Sequence, residues 1–334
     1  MRKMLGAVGP GVALGCVALT SLVGILSWVR SQQTTARSEV VLGYVPASLE
    51  YPYNVATARG FESEAKALGA RVVLLDPRGS VERQGNSIDD LMALRVQGIA
   101  ILPLDSVIAE GWVDKVAATR TPVVALAVQV GDPRKYEWRN VYPSLTALVG
   151  MDYTASGVRA GEMAASLLPT NRTVKIGIVE GAPGYPQVWQ STEGFKEGLE
   201  KSGIKYEIVA SQPTDWTPER GEAVCQNVIT SRPDVDMIFS QADDMALGCA
   251  RAIRPVRSRV KLVAMGGGSK LGIQAIEDGE IDGSVCVKPY ETGRLAARAL
   301  FEAVTGKNTS KRRLIAYDTP PITKANLPDC PEHW

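Results

Sequence analysis

The strongest constraint on the fold is a regular alternation of strand and helix patterns between about residues 39 and 317. In the first half, short runs rich in branched aliphatic residues alternate with amphipathic stretches of helical period. Strands are predicted at 40–45, 71–76, 98–103 and 122–127, and helices at 54–68, 80–95 and 106–118. Because repeated strand–helix units build parallel strands with helices on both faces, this half predicts an α/β sheet.

After a looser stretch over residues 128–147, the same pattern starts again. The second series of helices is predicted at 154–168, 188–202, 217 onward, 243–253 and 269–278, and its strands at 174–179, 206–210, 235–239, 260–265 and 283–288. A helix over 290–305 and a strand over 312–317 are left over at the end. Two units of similar plan with leftover elements predict two like lobes, with the chain crossing between them more than once.

Segment 239–248, in which a short apolar strand turns through a polar corner directly into a helix, predicts a ligand-facing edge. Open α/β sheets hold ligands at the carboxyl ends of their strands, and this corner lies at such an end. Asp243 is the natural N-cap of the helix that follows. Its side chain therefore has two interpretations, a helix cap or a group that faces a ligand.

Composition argues against several function classes. The 334 residues carry a formal net charge of +1 and no long block of like charges, which argues against nucleic-acid binding. The single histidine, His333, argues against a histidine-based triad or metal centre. The glycine-rich segment 266–272 fits neither the dinucleotide fingerprint nor the P-loop spacing, so we interpret it as the rim of a cleft. We expect no enzymatic activity, no catalytic residues, no metal and no cofactor.

The amino-terminal residues differ from the rest of the chain. Arg2 and Lys3 precede an uncharged apolar run over residues 5–29. This arrangement is typical of a signal peptide or membrane anchor, assigned to 1–37, and it places the bulk of the chain outside the cytoplasm. The run is long enough to span a bilayer, so cleavage and retention both stay open. The segment that ends at Cys16 loosely resembles a bacterial lipoprotein box, which adds lipidation as a third alternative.

Four further cysteines lie in the exported part, at Cys225, Cys249, Cys286 and Cys330. An oxidising compartment permits disulfides, and four cysteines allow three pairings. Because Cys225 and Cys249 fall on consecutive predicted helices at one face of a sheet, they can form a bridge. Four isolated buried thiols are the alternative, and none of the spacings is that of a metal site.

From about residue 40 to 320, the chain resembles the ribose-type periplasmic binding proteins, the sugar receptors of bacterial ABC importers. The segments that carry the resemblance are Tyr-Pro-Tyr-Asn at 51–54, Thr-Pro-Val-Val at 121–124, Val-Gly-Met-Asp-Tyr at 149–153, Glu-Gly-Phe at 193–195, Ala-Ser-Gln-Pro at 210–213, and 239–248. The resemblance implies the type 1 periplasmic-binding-protein fold, in which two Rossmann-like lobes with parallel sheets are joined by three crossings.

The same resemblance implies where the lobes begin and end. The N-terminal lobe is expected to comprise 38–151 and 289–316, and the C-terminal lobe 152–288 and 317–334. The hinge residues at the three crossings are then Asp152, Pro289 and Asp318.

Candidate ligand-binding residues also follow from the resemblance: Tyr51, Tyr53, Asn54, Trp189, Trp216, Gln241, Ala242, Asp243 and Lys288. The family's first-lobe pair of rings falls at Tyr53 and Asn54, and its second-lobe ring falls at Trp216, so stacking surfaces are partly kept. The polar groups that clamp a sugar are replaced by Ala127, Val128, Trp189, Ala242, Gly266 and Lys288. Since each charged hydrogen bond to a hydroxyl contributes about 1.5–3 kcal/mol, these losses predict a ligand other than ribose.

The residues leave the ligand's charge open. Lys288 favours an aromatic or acidic ligand, because an ammonium group pairs with an anion. A cationic ligand in an aromatic cage is the converse possibility, and Lys288 argues against it. Trp189 and Trp216 are alternatively half-buried interface rings, and Lys288 is alternatively a solvent-facing hinge residue.

The resemblance implies a periplasmic or extracytoplasmic solute-binding protein, with or without an anchor through residues 5–29. It captures a small sugar or sugar-like ligand by hinge closure for an ABC importer. The expected partners are that ligand and an ABC permease, with no nucleic acid, and the expected state is a monomer. The alternative is a membrane-tethered sensor that presents its closed form to a signalling partner such as a sensor kinase.

Overall fold

The computed structural model describes residue 6, residues 39–256, residues 259–331 and residue 334. The predicted export or anchor element, with Cys16, lies outside the described residues except for residue 6. Over the ranges that are described, the structure contains no helix whose length and apolar character would let it cross a membrane.

The strands are β1 (Val40–Val45), β2 (Ala70–Leu74), β3 (Gly98–Ile101), β4 (Val123–Leu126), β5 (Ala147–Gly150), β6 (Val174–Glu180), β7 (Tyr206–Pro213), β8 (Met237–Ser240), β9 (Lys261–Gly267), β10 (Gly283–Cys286), β11 (Arg313–Ala316) and β12 (Pro321–Ile322). The α-helices are α1 (Pro52–Ala67), α2 (Val81–Ala93), α3 (Ile108–Ala118), α4 (Tyr153–Ala165), α5 (Pro186–Lys201), α6 (Pro218–Ser231), α7 (Asp243–Ile253), α8 (Lys270–Glu277) and α9 (Pro289–Val304).

In the described part of the chain, these strands form two six-stranded sheets. The first has the order β11-β5-β4-β3-β1-β2, and its strand pairs are parallel. The second has the order β12-β10-β9-β8-β6-β7 and is parallel except for β12, which runs antiparallel to β10. Two sheets of mostly parallel strands, each flanked by helices, confirm the predicted fold class.

Strands β5 and β12 were not predicted. The first is the four-residue run Ala-Leu-Val-Gly, in which β5 pairs with β4 and β11. The second has two residues, and pairing with β10 defines it. A two-residue strand is too short to show a period, and β5 begins where the loose stretch 128–147 ends, so pairing with neighbouring strands reveals both.

The chain passes between the sheets at three places: between β5 and α4, between β10 and α9, and between β11 and β12. Asp152 lies at the first, where its Oδ1 accepts a hydrogen bond from the Ala155 amide at 3.0 Å and caps α4. Pro289 begins α9 at the second. Asp318 lies at the third and pairs with Arg159 of α4 at 2.6 Å. Their part in a hinge movement stays a prediction.

The four cysteines form two disulfides, and one of them is the bridge that the sequence allowed between consecutive helices. Cys225 of α6 is bonded to Cys249 of α7, and Cys286 at the end of β10 is bonded to Cys330. The sequence left the pairing open because helix neighbours alone do not fix which side chains face each other. The second bond attaches the carboxyl-terminal segment to a central strand of the second sheet.

Candidate functional site

A cavity of about 130 Å³ lies where the carboxyl ends of strands from both sheets face each other. Its walls include Ala47 after β1, Ala127 after β4, Gln241 after β8 and Val287 after β10. At about 10–15 Å³ per water molecule on this measure, the space corresponds to roughly ten water-sized groups. The cavity therefore suits a compact ring molecule of about that many non-hydrogen atoms.

Six of the predicted ligand-binding residues line this cavity: Tyr51, Tyr53, Asn54, Trp216, Gln241 and Ala242. Three do not line it: Trp189, Asp243 and Lys288. The cavity thus draws its predicted residues from the loop and first turn after β1, from the loop before α6, and from the corner after β8.

Trp216 is held in a strained conformation. Its φ of 70° lies in the left-handed region, which a bulky residue rarely adopts. Its ring lies over Gly181, where a methyl group would approach the Cη2 atom to 1.8 Å. Its edge meets Tyr185 at 6.0 Å between ring centroids. Strain of about 1–3 kcal/mol persists where the surroundings hold a residue in place, as they do at ligand clamps.

Tyr51 approaches the opposite lobe. Burial, and next the negative charge of Asp215, raise the pKa of Tyr51 above its ordinary value. Burial, with a smaller effect of Tyr51, raises the pKa of Tyr185 to about 12. Asp215 and Tyr185 belong to the part of the chain that forms the second sheet, so Tyr51 lies where the two lobes meet.

Tyr53 forms a wall of the cavity and a contact with the end of the chain. Its ring meets the ring of Trp334 edge to face, with 6.1 Å between centroids. Its hydroxyl is buried and has no hydrogen-bond partner among the described residues. Burial, followed by the nearby hydroxyls of Tyr317 and Tyr153, raises the pKa of Tyr53 well above its ordinary value.

Trp334 is a cavity residue that the sequence did not reveal. It lines the cavity, and its backbone oxygen accepts a hydrogen bond from the Lys270 amide at 3.1 Å. Its Nε1 is buried and finds no partner in the described residues. The only sequence signal was Cys330, because its bond to Cys286 brings the following residues back to the cleft.

Gln241 is a structural residue of the cavity wall. Its Oε1 accepts from the Gly181 amide at 3.0 Å, and its Nε2 donates to the Val188 carbonyl and to Thr192 Oγ1, both at 2.8 Å. These bonds occupy both donors of the amide. Gln241 therefore fixes the corner after β8 rather than offering hydrogen bonds to a ligand.

Asp243 is not the N-cap that the sequence predicted. The cap position is Ala242, which makes no side-chain capping bond, and Asp243 is the first residue of α7. Its fully buried carboxylate accepts from Ser284 Oγ at 2.7 Å, and its Oδ2 has no partner within the described residues. Burial raises the pKa of Asp243 to about 7. The side chain points into the second lobe because α7 begins one residue earlier than the cap assignment requires.

Asp244 lines the cavity in place of Asp243, and no pattern in the sequence favours one of these adjacent carboxylates over the other. Among the described lining residues it is the only one with a charged side chain. Burial raises the pKa of Asp244 to about 6. The helical turn decides which of two adjacent carboxylates faces the cavity, and an error of one residue in the helix start exchanges them.

Trp189 and Lys288 lie elsewhere. Trp189 is 55% exposed and lines a separate surface cavity together with Tyr136, Arg139 and Gln190. Lys288 occupies the N-cap position of α9, and its carbonyl accepts a hydrogen bond from Thr292 Oγ1 at 3.0 Å. Neither side chain lines the interlobe cavity, and the alternative interpretations of these residues, an interface ring and a hinge residue, stay predictions.

The lobes are in contact beside the cavity. Gln190 of α5 donates through Nε2 to Gln129 Oε1, which follows β4, at 2.8 Å. Gln129 in turn donates to the Tyr136 carbonyl at 3.0 Å. No group of three or more His, Cys, Asp or Glu residues in the described ranges is placed to hold a metal ion.

Comparisons with known proteins agree with this geometry. Residues 42–308 match the family described as periplasmic binding protein domain. The ribose import binding protein RbsB of Bacillus subtilis is 27% identical over 286 residues, which cover 85% of this chain and 88% of that protein. The D-allose-binding periplasmic protein of Escherichia coli is 26% identical over 292 residues, 85% of this chain and 89% of that protein.

Solved structures show the same fold. An ABC transporter solute-binding protein from Bacillus halodurans with bound myo-inositol superposes with a TM-score of 0.78 at 20% identity, covering 88% of this chain and 98% of that one. A Mycobacterium smegmatis protein in complex with β-D-fucofuranose gives 0.77 at 24% identity, covering 87% and 93%. These matches confirm the predicted resemblance and favour solute capture over the sensor alternative. With two parallel sheets, a cavity at their facing carboxyl edges and a family match over most of its length, the chain belongs to the periplasmic binding proteins.

Proposed function

We propose that this protein captures a small sugar or sugar-like ring molecule outside the cytoplasm and delivers it to the permease of an ABC importer. The observation that carries the proposal is the cavity of about 130 Å³ between the lobes, with Trp216 held rigidly in its wall. An indole face packs well against the apolar face of a ring polyol. The protein acts as a monomer and by binding rather than by catalysis.

Capture follows from contact with both lobes. Tyr51 comes from the first lobe and Trp216 from the second, so a ligand between them touches both only while the lobes are together. Ligand binding then shifts the population toward the closed form, which the permease recognises. Asp152, Pro289 and Asp318, at the three crossings, take up the backbone rotation.

The ligand is a ring molecule other than ribose. Relatives are named for ribose and D-allose. Here Ala127, Val128, Ala242 and Gly266 line the cavity without a polar side chain. A bound pentose would leave several hydroxyls without partners, at about 1–3 kcal/mol each.

A thermal-shift screen with pentoses, hexoses, cyclitols and their amino derivatives tests the proposal. We expect ribose to leave the melting temperature unchanged and at least one other ring molecule to raise it. The rise should disappear in Trp216→Ala, because that change removes the stacking face. A rise with ribose alone, or a rise that Trp216→Ala leaves intact, contradicts the proposal.

A further inference from the structure

The wall of the interlobe cavity combines one negative charge with a group of aromatic rings. The charge is that of Asp244, and the rings include Tyr51, Tyr185, Trp216 and Trp334. We propose that the ligand is a ring polyol that carries a protonated amine, and that Asp244 binds this amine inside the cavity. This inference rests on the proposed function and narrows its ligand class.

Asp244 is available for such a ligand. It lies in the first turn of α7 and is half-buried in the cavity wall. It takes part in no hydrogen bond or ion pair with another described side chain or amide. Burial raises the pKa of Asp244 to about 6, which expresses the cost of holding this carboxylate out of water without a partner. An ammonium group would supply the missing partner through a charge-assisted hydrogen bond.

The rings favour the same charge. The faces of Tyr and Trp rings are electron-rich and attract a cation within about 6 Å of the ring centre. Trp216 meets Tyr185 edge to face, and its indole packs directly against Gly181. The cavity therefore presents fixed ring surfaces to a ligand beside the carboxylate.

No described residue of the cavity wall has a positively charged side chain that would repel a cationic ligand. Lys288, which would have favoured an anion, lies outside the cavity at the start of α9. Asp243, the other carboxylate near this corner, is turned into the second lobe against Ser284. Asp244 is thus the only charged side chain among the described residues of the wall.

Two neutral amides of the wall, those of Gln241 and Asn54, already have partners within the protein. Both donors of the Gln241 amide are already used within the protein. Asn54 donates to the Ser48 carbonyl at 2.8 Å, which orients its amide. Compared with its neutral parent, an amino polyol adds a charge-assisted hydrogen bond to the carboxylate and an attraction to the ring faces.

Calorimetric titration of the full chain with matched sugars tests this inference. The probes are D-glucosamine with D-glucose, and D-galactosamine with D-galactose, at about pH 7, where the Asp244 carboxylate is mostly ionised and open to a partner. We expect at least one amine to bind about tenfold or more tighter than its neutral parent. Asp244→Asn should abolish that difference, and Asp244→Glu should keep part of it. The control is Glu219→Gln, which removes an exposed carboxylate from the first turn of α6 and should leave the ratio unchanged.

Each other outcome overturns the inference. The inference is wrong if the neutral parents bind as tightly as the amines, or if the preference for the amine survives in Asp244→Asn. It is also wrong if no member of either pair binds. The proposed function fails separately, and only if the wider panel of ring molecules gives no binding that depends on Trp216. A melting curve of Asp244→Asn shows whether the variant is folded before its titration is interpreted.

Discussion

The side-chain amide of Gln190 donates a hydrogen bond to Oε1 of Gln129, 2.8 Å away, and so joins the two lobes beside the ligand cavity. Both side chains are buried. Because the bond exists only while the lobes are together, it belongs to the closed form. Contacts between the two lobes and contacts with the ligand therefore both contribute to the stability of the closed form.

Gln190→Ala should weaken ligand binding. A neutral hydrogen bond contributes about 0.5–1.5 kcal/mol, so we expect an increase in Kd of about two- to tenfold. Calorimetric titration with the strongest ligand of the thermal-shift screen measures it. Gln226→Ala removes an exposed glutamine of α6 and serves as the control. An unchanged Kd in Gln190→Ala would show that closure does not depend on this bond.

Gly181→Ala should displace the ring of Trp216. The added methyl group would lie 1.8 Å from Cη2, closer than two non-bonded carbon atoms can approach. We expect binding to fall by about tenfold or more, as in Trp216→Ala, while the fold is kept. Gly111→Ala on α3 is the control, since no atom lies within 4 Å of its added methyl group. Equal binding by the Gly181→Ala protein would remove Trp216 from the ligand contact.

Asp243 should make stability depend on pH. Its folded-state pKa is raised by burial to about 7, from an ordinary 3.8. Between these values the folded state binds more protons than the unfolded state, so the free energy of unfolding falls as pH rises and levels off above about 7. Asp243→Asn keeps an acceptor for Ser284 and should remove this fall, leaving the variant more stable by up to a few kcal/mol at alkaline pH.

Urea denaturation across this pH range measures the effect. Asp244 titrates in an overlapping range, so both proteins are compared in an Asp244→Asn background. In that background, the protein with Asp243 intact should not gain stability between about pH 4 and pH 7. If its free energy of unfolding rises over this range, the account is contradicted, because the rise would mean that Asp243 is ionised in the folded protein.

Trp334→Ala should weaken binding without unfolding the protein. The ring lines the cavity and meets Tyr53, but its backbone oxygen bond to Lys270 does not depend on the side chain. Loss of a ring wall should raise Kd about five- to fiftyfold, corresponding to about 1–2.3 kcal/mol of lost contact. The double variant Cys286→Ser with Cys330→Ser frees the same segment and should weaken binding in the same direction. Wild-type affinity in both variants would show that the segment does not contact the ligand.

The sequence predicts the two-lobed fold because its strands and helices repeat with clear periods and its resemblance to the family extends over most of the chain. The resemblance also implies Tyr51, Tyr53 and Trp216 as ligand-binding candidates, and all three line the cavity. The sequence cannot distinguish Asp243 from Asp244, because the side that each faces depends on where α7 begins.

Long-range covalent and packing relationships are the other part that the sequence leaves open. Trp334 lines the cavity near the end of a segment that the Cys286–Cys330 bond attaches to the second sheet, and that pairing follows from the fold rather than from spacing. Lys288 falls at a family position for a ligand contact, yet here it is the N-cap residue of α9 and lies outside the cavity. Only the three-dimensional structure shows that Trp334 lines the cavity and that Lys288 does not.

Filling the cavity tests most directly the claim that the ligand binds between the lobes. Ala242 lines the cavity at the start of α7 in an extended conformation that any residue adopts, so Ala242→Trp places an indole in the ligand's space. Leu271→Trp, at a position 65% exposed on α8, is the matched control. In calorimetric titrations with the strongest ligand of the screen, we predict one site for the wild type and for Leu271→Trp, and no measurable binding for Ala242→Trp. Wild-type affinity in a folded Ala242→Trp protein would place the ligand elsewhere and contradict the account.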